Sequence, residues 1–460
     1  MDGSQPINPY LAGNYAPVAS EDDFDLVVTG EIPAGLAGAF YRNGPNPQFT
    51  PRGDYHWFTG DGMIHGVFVE DGKARYRNRY VRTPKWAAEH AAGRALFGGF
   101  DPRDADPSVA GMDGGVANTN IVWHGGRLMA LEEAHAPFEL DPITLEPRGY
   151  IDSYGGRVTA HPKLDPETGE MVWFGYGVGE MPLSAGMSYG VTSATGEVLR
   201  RDDFQAPYSS MVHDFLVTRN HVLFPILPLT GSLQRAMTGL PPFAWEPEKG
   251  ASVGVMKRDA SVDTLRWFEI DPCYVFHPMN AWEDGSLIHA DVMEHPVAPL
   301  FPNADGSRGK ASSARLVRWT IDLAGPSNQI KRQSLDDMVG EFPRFDERRA
   351  GLAYRHGWFA ANTHGPGTAF NAIAHVDLAT GRRVIHELPA GDATGEPVFV
   401  PRTPGAVEGD GWLVSLIYRG ADDRSDFAVF EAQDVARGPI ATARIPRRVP
   451  FGFHGNWRQA

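Results

Sequence analysis

The sequence predicts an all-β protein in which antiparallel hairpins close radially into a β-propeller. Hairpin signatures recur along the chain, and no amphipathic helix of roughly 10–15 residues separates them. The 52 glycines and 37 prolines make up about a fifth of the 460 residues, against roughly 12% in average proteins. These residues favour frequent turns and few long helices. A pair of β-sandwiches would give a similar pattern and stays open on the hairpins alone.

The hairpin signature is a short apolar run, a tight turn that begins with a polar residue, and a second run. An Asp side chain at the start of such a turn accepts hydrogen bonds from backbone N–H groups two or three residues later, which closes the turn. Three segments carry the full signature and two carry weaker copies: LDPITLE (140–146), LDPETGE (164–170), VDLATGR (376–382), TSATGE (192–197) and IDLAG (321–325). Each predicts two antiparallel strands.

Two segments outside the hairpins predict other structure. Residues 86–97 (WAAEHAAGRALF) are rich in alanine, carry apolar residues at helical spacing and precede Gly98 and Gly99. They predict a short helix that caps one face of the propeller. Residues 1–24 predict an extended N-terminal arm. The sequence contains no interdomain linker, so we expect a single domain over residues 1–460.

Charge and cysteine content exclude several function classes. With 42 basic and 57 acidic residues the net charge is −15, which repels a nucleic-acid backbone and makes nucleic acid an unexpected partner. A single cysteine, Cys273, allows no internal disulfide and no cysteine-rich metal cluster, which fits a reducing, cytoplasmic location. The N-terminus lacks a signal-peptide pattern and no long apolar run occurs, so membrane contact is expected to be at most peripheral.

Histidine is the most informative residue type, because the sequence carries no P-loop, G-x-S-x-G elbow, H-E-x-x-H pair or EF-hand loop. Of 16 histidines, four lie in apolar, strand-like runs beside a turn or a helix breaker: His161, His213, His277 and His454. They are 52, 64 and 177 residues apart, which fits no helical or hairpin ligand spacing. Only a closed, many-stranded fold could gather them on one axis. Satisfied core histidines are the alternative.

The segments around these histidines resemble the carotenoid cleavage oxygenase superfamily, including its bacterial lignostilbene dioxygenase branch. The resemblance covers nearly the whole chain. The segments that carry it are GEIP (30–33), FYRNGPNP (40–47), WFTGDGMIH (57–65), TAHPK (159–163), VHDF (212–215), FHPMNAWE (276–283), GEFPR (340–344), EPVFVPR (396–402) and FHG (453–455). The resemblance implies a seven-bladed propeller with Fe(II) on its axis.

The resemblance also implies the residues of the metal site. Four histidines hold the iron in this family, and their positions match His161, His213, His277 and His454. Three glutamates hydrogen-bond ligating histidines in the family, and they fall on Glu133, Glu341 and Glu396. A ligating imidazole uses one nitrogen for the metal, and a carboxylate that accepts the other N–H fixes the tautomer and the orientation of the ring.

The implied activity is oxidative cleavage of an alkene. Four neutral imidazoles leave up to two of six coordination positions of an iron ion open for dioxygen. A dioxygenase that puts both oxygen atoms into two carbonyl products needs no external electrons, which fits the missing nicotinamide, flavin and thiol motifs. The expected partners are O₂ and a small apolar or aromatic alkene, with a phenylpropene or stilbenoid favoured over a short apocarotenoid. A metal-free propeller acting as a binding scaffold is the rival interpretation.

The resemblance to the lignostilbene branch places four residues at the substrate pocket: Phe58, Phe100, Glu132 and His135. That branch usually anchors a 4-hydroxyphenyl group with a tyrosine and a lysine, where this chain has Phe100 and Glu132. A carboxylate in place of the lysine raises the cost of forming a phenolate nearby. Cleavage of resveratrol-type substrates is therefore expected to be poor.

Overall fold

The strands form seven antiparallel sheets that are the blades of a propeller. The computed structural model describes residues 8–365 and 369–460, and every structural statement below refers to those residues. The seven-bladed propeller expected from the resemblance is confirmed, and the alternative of two β-sandwiches is wrong. Each blade has four to six strands that follow one another across the sheet, apart from the two blades that contain the chain termini.

The described ranges contain thirty-three strands, of which thirty-one build the seven blades and two form a separate hairpin. The strand β2 (Val27–Gly30) belongs to the last blade. The other strands up to residue 205 belong to the first three blades: β1 (Asp23–Asp25), β3 (Gly38–Pro45), β4 (Gly62–Glu70), β5 (Lys73–Tyr80), β6 (Asn120–His124), β7 (Arg127–Leu131), β8 (Phe138–Leu140), β9 (Pro147–Tyr150), β10 (Lys163–Leu164), β11 (Met171–Tyr176), β12 (Gly186–Thr192) and β13 (Val198–Gln205).

The fourth blade and its inserted hairpin contain β14 (Leu216–Val217), β15 (His221–Ile226), β16 (Leu229–Gly231), β17 (Phe243–Trp245), β18 (Ala251–Lys257) and β19 (Arg266–Ile270). The last three blades contain β20 (Tyr274–Asp284), β21 (Leu287–His295), β22 (Arg315–Asp322), β23 (Lys331–Ser334), β24 (Val339–Phe345), β25 (His356–Asn362), β26 (Ala372–Asp377), β27 (Arg382–Glu387), β28 (Ala393–Thr394), β29 (Val398–Pro401), β30 (Gly411–Arg419), β31 (Arg424–Glu431) and β32 (Ala441–Ile445). The chain ends in β33 (Gly455–Gln459).

Both ends of the chain close the ring. β33 pairs with β3 of the first blade, with Tyr41 opposite Asn456. β2 pairs with β32 of the last blade, with Thr29 opposite Thr442. This double closure ties the first and last blades together through backbone hydrogen bonds, so the propeller does not depend on side-chain packing alone at that junction.

The core lies between neighbouring blades, which explains why central strands are buried on both faces. All seven residues of β25 are buried. Its Trp358 stacks on Phe399 of the next blade, with the ring centroids 5.0 Å apart, and donates a hydrogen bond to the Ala432 carbonyl at 2.7 Å. Such a strand appears in sequence as a nearly continuous apolar run, as a fully buried strand should.

The predicted hairpin turns form as the Asx pattern indicates. The Asp141 carboxylate accepts hydrogen bonds from the Ile143 and Thr144 amides at 2.9 and 2.8 Å. The Asp165 carboxylate accepts from Glu167 and Thr168 in the same way, at 2.8 and 3.1 Å. These turns join β8 to β9 and β10 to β11.

The helix predicted over 86–97 is shorter and begins earlier, as α1 (Pro84–Ala92). Its first turn is capped by the Thr83 hydroxyl, and it ends because Gly93 takes a left-handed conformation, with φ of +66°. Beyond it the buried Glu89 carboxylate accepts the Leu96 and Phe97 amides, at 2.8 and 2.9 Å, so these residues satisfy their backbone groups outside a helix. The prediction placed the end of the helix at Gly98 and Gly99, whereas the helix already ends at Gly93.

α1 is anchored on the segment between β3 and β4. The Lys85 ammonium pairs with Asp61 at 2.7 Å and with Glu89 at 2.8 Å, and all three side chains are buried. The Gln48 amide donates to the Trp86 carbonyl at 2.8 Å. The segment that α1 supports carries the predicted pocket residue Phe58.

The remaining helices are short. A second α-helix, α2 (Leu233–Met237), belongs to the inserted hairpin. The 3₁₀-helices are Pro9–Leu11, Gly13–Tyr15, Trp57–Thr59, Pro102–Asp104, Pro107–Val109, Asp152–Tyr154, Pro247–Lys249, Val262–Thr264, Glu347–Arg349 and Val435–Arg437. Within the described ranges, no helix combines the length and apolar character needed to cross a bilayer.

The predicted N-terminal arm, residues 1–24, is only partly described, because residues 1–7 lie outside the described ranges. From residue 8 it contains two 3₁₀ turns, and it enters β1 at Asp23. The arm is fixed to the first blade by a reciprocal pair of hydrogen bonds between the Val18 backbone and the Asn46 side chain, both 2.8 Å long.

Candidate metal centre and active site

The four predicted histidines meet in one cluster. His277 lies in β20, and the other three lie in the segments that lead into β10, β14 and β33. One nitrogen from each ring lies within 4.8 Å of the others. The Nε2 atom of His213 is 3.0 Å from that of His161 and 3.2 Å from that of His277. Each of the four residues is 4–9% exposed. Edge strands of four separate blades, and the segments that lead into them, therefore bring together histidines that are far apart in sequence.

The three predicted glutamates each contact a different histidine of the cluster. Glu133 accepts from His213 Nδ1, Glu341 accepts from His277 Nδ1 at 2.6 Å, and Glu396 accepts from His454 Nδ1 at 3.1 Å. Because Nδ1 carries the proton in each pair, the Nε2 lone pair faces the centre of the cluster. This arrangement is the one that a metal-ligating imidazole requires.

Each glutamate has a further partner that sequence reasoning missed. Two of them, Arg344 and Gly455, lie in segments that carry the family resemblance, but no short pattern indicates these contacts, because they form between segments distant in sequence. They are the Tyr176 hydroxyl, which donates to Glu133 at 2.5 Å, the His295 ring, 2.9 Å from Glu341, and the Arg344 guanidinium and Gly455 amide, 3.3 and 2.8 Å from Glu396.

The electrostatics keep the carboxylates charged. Burial alone would raise the pKa of the Glu396 carboxyl, but Arg344 and His454 lower it to about 2. The pKa of Glu341 is likewise held far below its usual range, because His277 and His295 outweigh the effect of burial. Burial lowers the pKa of His277 to about 4, although Glu341 opposes this effect. At neutral pH Glu341 and Glu396 are thus charged, and His277 is a neutral imidazole that could bind a metal.

His161 differs from the other three histidines. Its Nδ1 lies 3.7 Å from an oxygen of Asp214, which is beyond hydrogen-bond distance. Asp214 is in turn paired with the Lys163 ammonium at 2.7 Å. Burial, reinforced by the neighbouring histidines, lowers the pKa of His161 well below its ordinary value. His161 is therefore also neutral and available to a metal.

The donor set fits a transition-metal ion. Four imidazole nitrogens that converge on one point, three of them oriented by carboxylates, match the ligands that Zn, Cu, Fe and Ni accept. A structural core of satisfied histidines would instead point its nitrogens at hydrogen-bond partners, whereas His213 and His277, each with its Nδ1 directed at a glutamate, face each other with their Nε2 atoms at 3.2 Å. The group His161, His213, His277 and His454 could hold a metal ion.

A cavity of about 460 Å³ reaches the cluster from one side. Its inner end is lined by His161, His277, His454 and Glu396, and it extends to the turn between β10 and β11. Most of the charged groups along it are paired, as Lys163 is with Asp214. None of the four predicted pocket residues lines this cavity.

Aromatic side chains border the cluster elsewhere. Phe276 lies edge-on to His213, with ring centroids 5.2 Å apart, and Phe342 stacks on His277 at 5.3 Å. Phe342 has a φ of +55°, a conformation that a bulky side chain rarely adopts outside functional sites. The predicted pocket residue Phe58 contacts Phe276 and Phe453, at centroid distances of 6.4 and 5.5 Å. Phe58 thus contacts Phe276, whose ring in turn contacts His213.

The predicted pocket residue Phe100 lies in an outer aromatic layer. Its ring centroid is 5.1 Å from that of His56, 6.3 Å from that of Phe243 and 6.5 Å from that of Phe301. His56 and Phe301 were not identified from the sequence. A histidine that precedes the WFTGDGM segment could have been noticed there, whereas Phe301 opens a polar loop and gave no signal.

Glu132 and His135 are paired with each other. One Glu132 oxygen is 2.7 Å from His135 Nδ1 and accepts the Val116 amide at 2.8 Å. The other ring nitrogen of His135 lies 3.6 Å from Asp113. Burial lowers the pKa of His135, but Glu132 and Asp113 together raise it above its usual value. Glu132 therefore lies against His135, and a pocket role for this pair stays a prediction.

Comparisons with known proteins agree with the geometry. The family described as "Retinal pigment epithelial membrane protein" matches residues 15–459. The chain is similar to isoeugenol monooxygenase of Pseudomonas nitroreducens, at 39% identity over 98% of each chain. It is 38% identical to lignostilbene-alpha,beta-dioxygenase isozyme III of Sphingomonas paucimobilis, over 98% of this chain and 97% of that one.

A solved structure matches over nearly the full length as well. The crystal structure of Pseudomonas brassicacearum lignostilbene dioxygenase superimposes with a TM-score of 0.95, at 35% identity, over 99% of both chains. The match includes the seven-bladed architecture that carries the four-histidine cluster. The chain therefore belongs to the family of the retinal pigment epithelial membrane protein and the carotenoid cleavage oxygenases.

Proposed function

We propose that the protein is a coenzyme-independent, non-haem Fe(II) dioxygenase that cleaves a C=C bond conjugated to an aromatic ring. The substrate is a phenylpropene or a stilbenoid, and the products are two carbonyl compounds. The observation that carries the proposal is the convergence of four histidine nitrogens, three of them oriented by Glu133, Glu341 and Glu396. The names of the isoeugenol and lignostilbene relatives support the substrate class.

The reaction balances without a reductant. One C=C bond and one O–O bond break, and two C=O bonds form, so both atoms of O₂ enter the products and no external electron is needed. Iron(II), when bound by the four histidines, supplies the one-electron chemistry that lets triplet O₂ react with a closed-shell alkene.

The protein's residues hold and enclose the reacting groups. Glu133, Glu341 and Glu396 keep three imidazoles in one tautomer and raise their basicity as ligands. Phe276 and Phe342 pack against the ligating rings and exclude water from that side of the cluster. The aromatic layer around Phe58 offers ring contacts to an aryl group.

A substrate panel tests this function. Purified protein loaded anaerobically with Fe(II) is mixed with O₂ and with propenylbenzenes, stilbenes and an apocarotenal, and aldehydes are quantified. We expect aryl aldehydes from the propenylbenzenes or stilbenes, with kcat/KM at least about tenfold above that for the apocarotenal.

Two results would contradict the proposal. If the enzyme prefers the apocarotenal, its substrate is an apocarotenoid and not an aromatic alkene. No aldehyde from any substrate, in protein shown to contain iron, would instead support a binding scaffold.

A further inference from the structure

His56 is a buried polar side chain that the metal centre does not use. It precedes the 3₁₀-helix Trp57–Thr59, and its ring is enclosed by aromatic neighbours. The centroid distances are 4.6 Å to Phe58, 5.1 Å to Phe100, 5.6 Å to Tyr10 and 5.8 Å to Phe301. A polar group in such surroundings is costly unless it has a hydrogen-bond partner.

The hydrogen bonds of His56 fix its tautomer. Nδ1 accepts the Phe58 amide at 3.2 Å, so Nδ1 carries no proton. Burial lowers the pKa of His56 to about 4, although the Leu300 carbonyl opposes this effect, so the ring is neutral at physiological pH. The remaining proton is therefore on Nε2.

Although the Leu300 carbonyl lies near the ring, the Nε2–H group lacks a well-formed hydrogen bond. It is buried and forms no hydrogen bond of acceptable geometry with the described residues, the Leu300 carbonyl included. Leu300 itself has a φ of +70°, so the backbone beside the ring is in an unfavourable conformation. A neutral donor without a well-formed hydrogen bond inside an aromatic enclosure is suited to a ligand that brings an acceptor.

The position of His56 suits the far end of an aryl alkene. Phe58 contacts both His56 and Phe276, and Phe276 contacts the candidate ligand His213. An aryl group that packs against Phe58 with its alkene towards the histidines directs its ring substituents towards His56. Of the other predicted pocket residues, Phe58 and Phe100 are apolar and Glu132 is a carboxylate that lies beside His135.

We propose that His56 Nε2–H donates a hydrogen bond to the ring oxygen of the substrate, in a hydroxyl or a methoxy group. This proposal rests on the proposed function and specifies its substrate class as ring-oxygenated aryl alkenes. A neutral donor binds an ether oxygen as well as a phenol, whereas an ammonium group in this role would favour a phenolate. His56 thus favours substrates with an oxygen substituent on the ring and accepts both the hydroxyl and the methoxy form.

The test compares three ligands that differ only at the ring position para to the alkene: 4-hydroxy-, 4-methoxy- and unsubstituted propenylbenzene. Dissociation constants are measured anaerobically by calorimetry on the iron-loaded protein, so the measurement requires no turnover. His56→Phe keeps an aromatic ring but removes the donor. We expect it to weaken binding of both oxygenated ligands by about tenfold relative to the unsubstituted one, the size of one lost hydrogen bond.

Kinetics and two further variants separate recognition from packing. The lost bond is present in ground state and transition state alike, so KM for the oxygenated substrates should rise with little change in kcat. His56→Gln retains a neutral N–H donor and should recover part of the discrimination. Phe301→Leu, which removes a ring stacked on His56 but no donor, should shift all three ligands by the same factor.

The outcomes are distinct. If His56→Phe weakens all three ligands equally, His56 supports the Leu300 segment and the proposal is wrong. The proposal also fails if wild-type protein binds the three ligands with equal affinity. If the discrimination is present but no ligand is cleaved in the presence of O₂, His56 has the proposed role and the proposed function fails.

Discussion

Replacing His277 by alanine is expected to reduce bound iron from about one ion per chain to a small fraction, and to abolish alkene cleavage. Loss of a carboxylate that merely supports a ligand typically costs 10–100-fold in metal affinity or activity. Loss of a ligand should therefore cost more than about 100-fold. The substitution also leaves Glu341 charged and deprived of one of its two histidine partners. Elemental analysis and the rate of aldehyde formation measure the result.

A histidine in the same blade provides the control. His289 lies in β21, is half-buried and contacts Thr320 at 3.1 Å, remote from the ligand set. His289→Ala should keep full iron content and activity. If His277→Ala keeps stoichiometric iron and wild-type kinetics, His277 is not a ligand and the proposed four-histidine metal centre is wrong.

The substitution Glu341→Gln is expected to reduce iron affinity or kcat/KM by about 10–100-fold, which is the second largest effect that we expect. Glutamine keeps the size and one acceptor oxygen but removes the charge that supports the basicity of His277. The Glu341 carboxylate bonds His277 and His295 through different oxygens, at 2.6 and 2.9 Å, so an amide can accept from only one of them. Iron titration and steady-state kinetics on folded protein measure the loss.

The chain offers a matched glutamate–histidine pair outside the site. Glu283 is 2.7 Å from His221 Nδ1, and neither residue contacts the cluster. Glu283→Gln should reduce stability without affecting iron affinity. If the two glutamine variants behave alike, the Glu341 carboxylate has a structural role only, and its supporting role towards the metal would be wrong.

Only part of the histidine cluster was predictable from local sequence. Each of the four histidines stands in an apolar run beside a turn, but it was the family resemblance that identified them as candidate ligands and supplied the three glutamates. The partners of those glutamates were not predictable, since Tyr176 reaches Glu133 and His295 reaches Glu341 only after the blades have packed. Such contacts depend on the register between sheets, and a single sequence does not encode that register in any short pattern.

The error in the predicted bounds of the helix has an equally specific cause. α1 stops at Gly93 because the first glycine that can adopt a left-handed conformation ends the helix, and the buried Glu89 then captures the amides beyond it. The pocket role predicted for Glu132, whose carboxylate lies 2.7 Å from the His135 ring, stays a prediction.

The most direct test of the central claim is the fate of labelled dioxygen. Iron-loaded protein reacts briefly with 4-methoxypropenylbenzene under ¹⁸O₂, and borohydride then reduces the aldehydes to alcohols that no longer exchange oxygen with water. A parallel reaction in H₂¹⁸O under ordinary O₂ measures residual exchange. Cleavage by a coenzyme-independent dioxygenase predicts one ¹⁸O atom in the aryl product and one in the two-carbon product. Label in one product only, with the second oxygen drawn from water, would contradict it.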